Sequence, residues 1–383
     1  MKLRGKRIIV TGGAGFIGSH IVDQLVAADN EIIIIDDFSI GKWENIDHHR
    51  TNTQVHVQRA DVRDLDAMVR LTKGVDVVFH LACACVRASL NDPMSSHDIN
   101  ATGTLNMCQA SLKNGVKRFV YTSSSEVYGN ALYVPMDEGH PWNPTNAYGA
   151  SKAAGELYAL AYWRSYGLPS VVVRLFNVYG PREHSEGTRA EVIPKFVMRA
   201  MAGLQPVIFG TGQQTRVFTW VEDTVWGIIK AAECDELVGD CVHLGGRQEV
   251  SIAATCNLVL RKLGRHDLKP IYLEDGRPGD VERHCADISK AKRLLGFSPT
   301  VDIDVGIDRY IQWVREQNPD LESWVKQERI QNWDGPGMST LGRPTEAIGL
   351  GASTHTAGPL KGASSSRSPD VASKRWHNSY NPR

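Results

Sequence analysis

Apolar and polar positions change period repeatedly along this chain. Lys6-Arg7-Ile8-Ile9-Val10 is a short apolar run of buried-strand type, and residues 19–26 repeat apolar positions at helical spacing. Between them lies Thr11-Gly12-Gly13-Ala14-Gly15-Phe16-Ile17-Gly18, a glycine turn. Strand character returns at residues 31–35, 54–59 and 75–82, and helical character at about 97–114 and 148–166. Alternation of this kind through about residue 180 predicts βαβ units, hence an α/β, doubly wound parallel sheet with helices on both faces. From about 181 to 315 the elements are shorter and mixed. From Asp334 onward the chain is rich in Gly, Ser, Pro and Thr, too poor in apolar surface to offset ordering entropy. Residues 334–383 are therefore expected to form a disordered tail.

The first turn carries chemistry. Glycines at 13, 15 and 18, or equally at 12, 15 and 18, let a pyrophosphate approach the backbone and the free N–H groups of the following helix. The second strand runs into Asp36-Asp37, carboxylates suited to the adenosine ribose hydroxyls and hostile to a 2′-phosphate, so NAD is favoured over NADP. Asp36 is the better candidate because it is nearer the strand. Asp61-Val62, after the third strand, is within reach of the adenine.

Further along, Thr122-Ser123-Ser124-Ser125-Glu126 precedes Tyr148-Gly-Ala-Ser-Lys152. A tyrosine and a lysine four apart share one helix face. An ammonium beside a phenol favours phenolate, giving a base for work near neutral pH with a serine to hold the same oxygen.

Composition narrows the class. The 383 residues are 42% hydrophobic, enough for a sizeable core, and 43 basic residues balance 43 acidic ones, so charge gives no reason to invoke nucleic acid or an anionic membrane. No apolar run is long enough to span a bilayer, and a cytoplasmic location is expected. Seven cysteines without a C-x-x-C pair fit a reduced compartment. Cys83-Ala-Cys85 reads as small buried residues lining a nicotinamide pocket, with a metal or redox role as the lesser alternative. The thirteen histidines show no ligand spacing, and His48-His49 reads as a solvated pair, so no metal is expected.

Taken with His80-Leu81-Ala82, Val86-Arg87-Ala88-Ser89, Asn100-Ala-Thr-Gly, Arg174-Leu175-Phe176-Asn177-Val178-Tyr179-Gly180-Pro181-Arg182 and Arg277-Pro-Gly-Asp280, these motifs resemble the extended short-chain dehydrogenase/reductases of the nucleotide-sugar epimerase/dehydratase branch, over about residues 5–315. The resemblance implies an NAD-binding Rossmann domain over 1–180, re-entered around 218–244, and a substrate lobe over 181–330. It also implies a homodimer joined through the 97–114 and 148–166 helices, internal packing of the same faces being the alternative. It places Gly12, Gly15, Phe16, Ile17, Gly18, Asp36, Ser39, Asp61, Val62, Leu81, Ala82, Asn100, Thr122, Lys152 and Leu175 at the cofactor. Arg87, Ser124, Asn177, Val192, Val207, Phe209, Arg216, Arg277 and Asp280 fall to a nucleoside diphosphate sugar. Tyr148 would take the sugar 4-hydroxyl proton with Ser124 and Lys152 assisting. Glu126 is either a further base or a structural group, so a 4-epimerase is the first reading, with a dehydratase or decarboxylase second.

Overall fold

Alternate residues of the apolar strands bury on opposite faces of one sheet. The computed structural model describes residues 1–274, 276–331 and 333; the expected tail, 334–383, lies outside the described residues. The strands in chain order are β1 (Arg7–Thr11), β2 (Glu31–Asp36), β3 (Val55–Arg59), β4 (Val77–His80), β5 (Arg118–Ser124) and β6 (Ser170–Leu175). Then come β7 (Val178–Tyr179), β8 (Val207–Phe209), β9 (Thr215–Val217), β10 (Thr219–Trp220), β11 (Cys241–Leu244), β12 (Glu249–Ser251) and β13 (Ile271–Leu273). Seven of them form a parallel sheet in the order β11-β6-β5-β4-β1-β2-β3. The chain order reverses between β1 and β4, the switch point at which such sheets bind ligands beyond their carboxyl ends.

The helices are α1 (Phe16–Ala27), α2 (Leu65–Leu71), α3 (Val86–Asn91), α4 (Pro93–His97), α5 (Gly103–Lys113) and α6 (Ala147–Tyr166). They continue as α7 (Val192–Met201), α8 (Val221–Glu233), α9 (Ile252–Lys262), α10 (Ser289–Leu295), α11 (Ile303–Glu316) and α12 (Leu321–Gln327). Ile8, Val10, Ile32 and Phe79 pack with Ile21, Val22 and Leu25 of α1 and Val225 and Ile228 of α8. Ile9, Ile33, Val78 and Tyr121 pack on the other face with Met68 of α2, Met107 of α5 and Leu160 of α6. Both faces are thus covered, and the strands need no polar side.

Three two-stranded pairs, β10 with β7, β12 with β9 and β13 with β8, build the mixed region. Its core gathers Tyr179, Phe196, Ile208, Trp220, Val259 and Tyr310. The helix expected over 97–114 runs as α4, a wider-pitched turn at Asp98–Thr102, and α5. Among the described residues no helix is long and apolar enough to cross a membrane.

Candidate active site

The glycine turn shows which spacing is used. Gly12 has φ +67°, and a Cβ there would meet Ala82 N at 3.0 Å. A Cβ on Gly18 would stand 2.1 Å from the Gly12 carbonyl oxygen, so only glycine lets α1 start against the turn. Gly13 instead packs against Ile34. The reading through 12, 15 and 18 is therefore the one that faces the cleft. Helix α1 begins with neither a side-chain cap nor an acidic residue in its first turn, which leaves its amide donors for an anion.

Asp36, at the end of β2, accepts from Ala14 N at 3.0 Å and from Phe38 N at 2.9 Å, one on each oxygen. Burial raises its pKa despite these bonds. The carboxylate braces the glycine turn and retains lone pairs for ribose hydroxyls. Gly41 keeps that side open, since a Cβ there would come within 2.7 Å of the carboxylate. Asp61 is clamped by Arg63 through contacts of 2.6–3.0 Å. The uncapped amides, the glycines, Asp36 and the buried, unpartnered Thr122 Oγ1 together fit a dinucleotide.

The cleft measures about 450 Å³ and runs from this turn to the mixed region. It is lined by Gly12, Gly15, Phe16, Ile17, Gly18, Asp36, Ser39, Asp61, Val62, Leu81, Ala82, Thr122 and Leu175. Ser124, Glu126, Tyr148 and Lys152 also line it, as do Arg87, Asn177, Val192, Val207, Phe209, Arg216, Arg277 and Asp280. Asn100 is the exception. Its side chain is turned into the protein, donating to Ala84 O (3.0 Å) and Ser151 Oγ (2.9 Å) and accepting from Ala84 N (2.8 Å). These bonds fix the loop after β4 to α6.

Helix α6 presents the tyrosine and lysine. Asn146 caps it, accepting from Gly149 N at 2.8 Å, and donates to Glu126 Oε2 at 2.8 Å. Gly149 and Gly155 let the helix press on the sheet: Cβ atoms there would lie 2.4 Å from Glu126 O and from the Tyr121 hydroxyl, respectively. Lys152 Nζ lies 4.5 Å over the Tyr121 ring.

The pKa directions differ from the expectation drawn from spacing. Burial pushes the Tyr148 phenol well above its ordinary range; Cys83 and Glu126 push the same way, and the Ser124 hydroxyl opposes them. The same burial lowers Lys152. Burial is the largest influence on both groups and acts against the phenolate and the ammonium alike.

Several cleft residues escaped the sequence reading. Glu183 is buried, accepts from Gly180 N at 3.2 Å, and has its pKa pushed well above the ordinary carboxylate range by burial and by Glu191. Glu191 is itself paired with Arg87. His184, Lys195 and Trp333 also line the cleft. Glu183 and His184 follow directly on the Gly180-Pro181-Arg182 motif, which was the available signal; Trp333 borders the segment set aside as tail. Arg216 and Arg277 both contact Asp280 Oδ1, at 2.7 and 2.6 Å, so their side chains converge on one point of the cleft.

The family model described as GDP-mannose 4,6-dehydratase matches residues 9–310. A putative UDP-glucose 4-epimerase from Methanocaldococcus jannaschii is 37% identical over 314 residues, 81% of this chain and 99% of that protein. UDP-glucuronic acid decarboxylase 1 from Xenopus tropicalis is 33% identical over 318 residues, 82% of this chain and 73% of its own. The dTDP-glucose 4,6-dehydratase DesIV from Streptomyces venezuelae, solved with NAD bound, superposes with a TM-score of 0.77 at 31% identity, covering 84% of this chain and 100% of its own.

Proposed function

The chain belongs to the NAD-dependent nucleotide-sugar epimerase/dehydratase family of extended short-chain dehydrogenase/reductases, and from that premise we propose that it is an NDP-sugar 4-epimerase. NAD is its cofactor and supplies the acceptor, then the donor, of the hydrogen at sugar C4. Tyr148 takes the 4-hydroxyl proton while Ser124 Oγ holds the same oxygen. Lys152, on the same helix face, adds a positive charge that, together with that of the oxidised nicotinamide, would offset the charge that burial disfavours on the phenol. Once the 4-keto sugar has turned about its diphosphate link, Tyr148 returns the proton and the configuration at C4 is inverted.

The observation that carries this reading is the engagement of Glu126. Its carboxylate accepts from the Asn146 side chain that caps the catalytic helix, which makes it a brace for Tyr148. Dehydration requires a base at C5 and an acid for the 6-hydroxyl, and Ser125, the neighbour of Glu126, is a poor proton donor. Arg87 supports a neutral sugar, because its charge is already met by Glu191. The second reading, dehydration or decarboxylation, is favoured by Glu126 lining the cleft near Tyr148.

A panel of NDP-sugars incubated without added cofactor and followed by NMR tests the proposal. A 4-epimer mixture is expected. A 4-keto-6-deoxy product or carbon dioxide release would replace it with the second reading. The homodimer expected from the resemblance also remains part of the proposal. Its support is the outer surface of α6, where Leu157, Tyr158 and Tyr166 are exposed; light scattering on the purified protein checks it.

A further inference from the structure

The family match ends at residue 310, and the chain after α11 returns to the cleft. Asp320 caps α12, accepting from Ser323 N at 3.0 Å, and Trp324 is buried with its indole N–H donated to Ser185 O at 2.7 Å. Beyond α12 the chain is fastened to α7. Arg199 Nη1 meets both Glu328 oxygens at 2.6 Å, with both side chains less than one-tenth exposed. Lys195 Nζ donates to Arg329 O and Ile330 O at 2.8 and 2.7 Å.

These fastenings bring Trp333 to the cleft wall. It is 7% exposed, and its ring centroid lies 4.7 Å from that of Phe209 on β8, with the planes at 60°. Val207, Ile208 and Phe196 line the cleft with Phe209 and Trp333, as do Arg216 and Arg277. An apolar aromatic corner in a cleft that also holds two guanidiniums suits a flat heterocycle carrying a diphosphate. The surface strap alone does not require an aromatic here, since Glu328 and the two carbonyls already anchor it.

We propose that Trp333, carried into the cleft by residues 321–331, is a substrate-contacting residue that packs against the nucleobase of the nucleoside diphosphate beside Phe209. This rests on the NDP-sugar reading of the cleft. The strap thereby adds a wall to the nucleotide site from outside the span of the family match, and Arg199 and Lys195 act as positioning residues for it.

Titration of the full-length protein with UDP, TDP, GDP and CDP tests the assignment. Trp333→Ala is expected to weaken the best-bound diphosphate about tenfold and to raise the NDP-sugar KM similarly. Its kcat, NAD content and affinity for inorganic pyrophosphate should stay within about twofold of wild type, and Trp333→Phe should recover most of the loss. Glu328→Gln, which loosens the strap away from the cleft, should show a smaller loss in the same direction. Unchanged diphosphate affinity in Trp333→Ala with turnover intact overturns the inference and leaves the NDP-sugar reading standing. Failure of the wild-type protein to bind any nucleoside diphosphate overturns both. An equal loss for pyrophosphate and for the nucleotides would mean general disruption of the cleft and also overturns the assignment.

Discussion

Tyr148 and Glu126 carry the functional proposal at the level of single residues. Tyr148→Phe removes the proton carrier and leaves the ring, so kcat should fall by about 10²- to 10⁴-fold with NAD content and thermal transition unchanged. Loss of less than about tenfold would rule out the phenol as the proton carrier. Glu126→Gln keeps the acceptor for Asn146 and loses only the base. An epimerase should retain activity within about threefold, while a dehydratase should lose a hundredfold or more, as read from product formation by NMR. The serine cluster and the Tyr-x-x-x-Lys spacing were legible in the sequence because they depend on helix periodicity. The direction of the Tyr148 pKa was not, because it depends on how much protein closes over the phenol.

A buried pair helps to hold helix α6 in register. Arg174 on β6 meets Glu156 through Nη2 (2.6 Å) and Nε (3.0 and 3.1 Å), with side chains 4% and 0% exposed. Arg174 also donates to Glu138 O at 2.9 Å and to the Tyr128 hydroxyl. Glu156→Ala leaves a buried guanidinium uncompensated and should cost about 3–5 kcal/mol in urea unfolding. Glu156→Gln, which retains acceptors, should cost less. The helix expected over 148–166 is observed over Ala147–Tyr166, with Asn146 capping its start and Gly167 in the left-handed region, φ 77°, after its end. The sequence did not show the ion pair, whose members come from separate elements.

At the scale of the whole molecule, two deeply buried histidines are expected to contribute to acid sensitivity. His80 stands between Thr11 Oγ1 (2.8 Å) and Thr104 Oγ1 (3.0 Å), joining the end of β1 to α5. Thr11 accepts from Leu81 N and Ala82 N, and Thr104 donates to Asn100 O, so His80 accepts at Nδ1 and donates at Nε2 as a neutral ring. His243 on β11 bonds the Tyr128 hydroxyl through Nε2 (2.5 Å) and donates from Nδ1 to Asp287 O (3.2 Å). Burial, with a neighbouring cation in each case, lowers both to about 3. The unfolded chain then takes up protons first, so their contribution is complete above pH 6.5 and is lost as pH falls towards 3. Unfolding free energy should drop by about 1.4 kcal/mol per pH unit for each histidine across that window. Denaturant titrations at pH 7, 6 and 5 measure the slope; a flat profile would show that these rings are not held neutral by the fold.

What the sequence by itself determined is local: the strand and helix periods, the glycine turn, the Asp36 carboxylate and the 148–152 spacing, all set by residues near one another along the chain. It also carried enough ordered motifs to indicate the family. What the tertiary structure decided depends on groups far apart in sequence. It turned Asn100 into a clamp between a loop and α6, joined Arg216 and Arg277 through Asp280, closed Arg87 on Glu191, and brought Trp333 to Phe209. Burial and pairing are properties of the assembled cleft, so they could be read only once distant segments had been packed together.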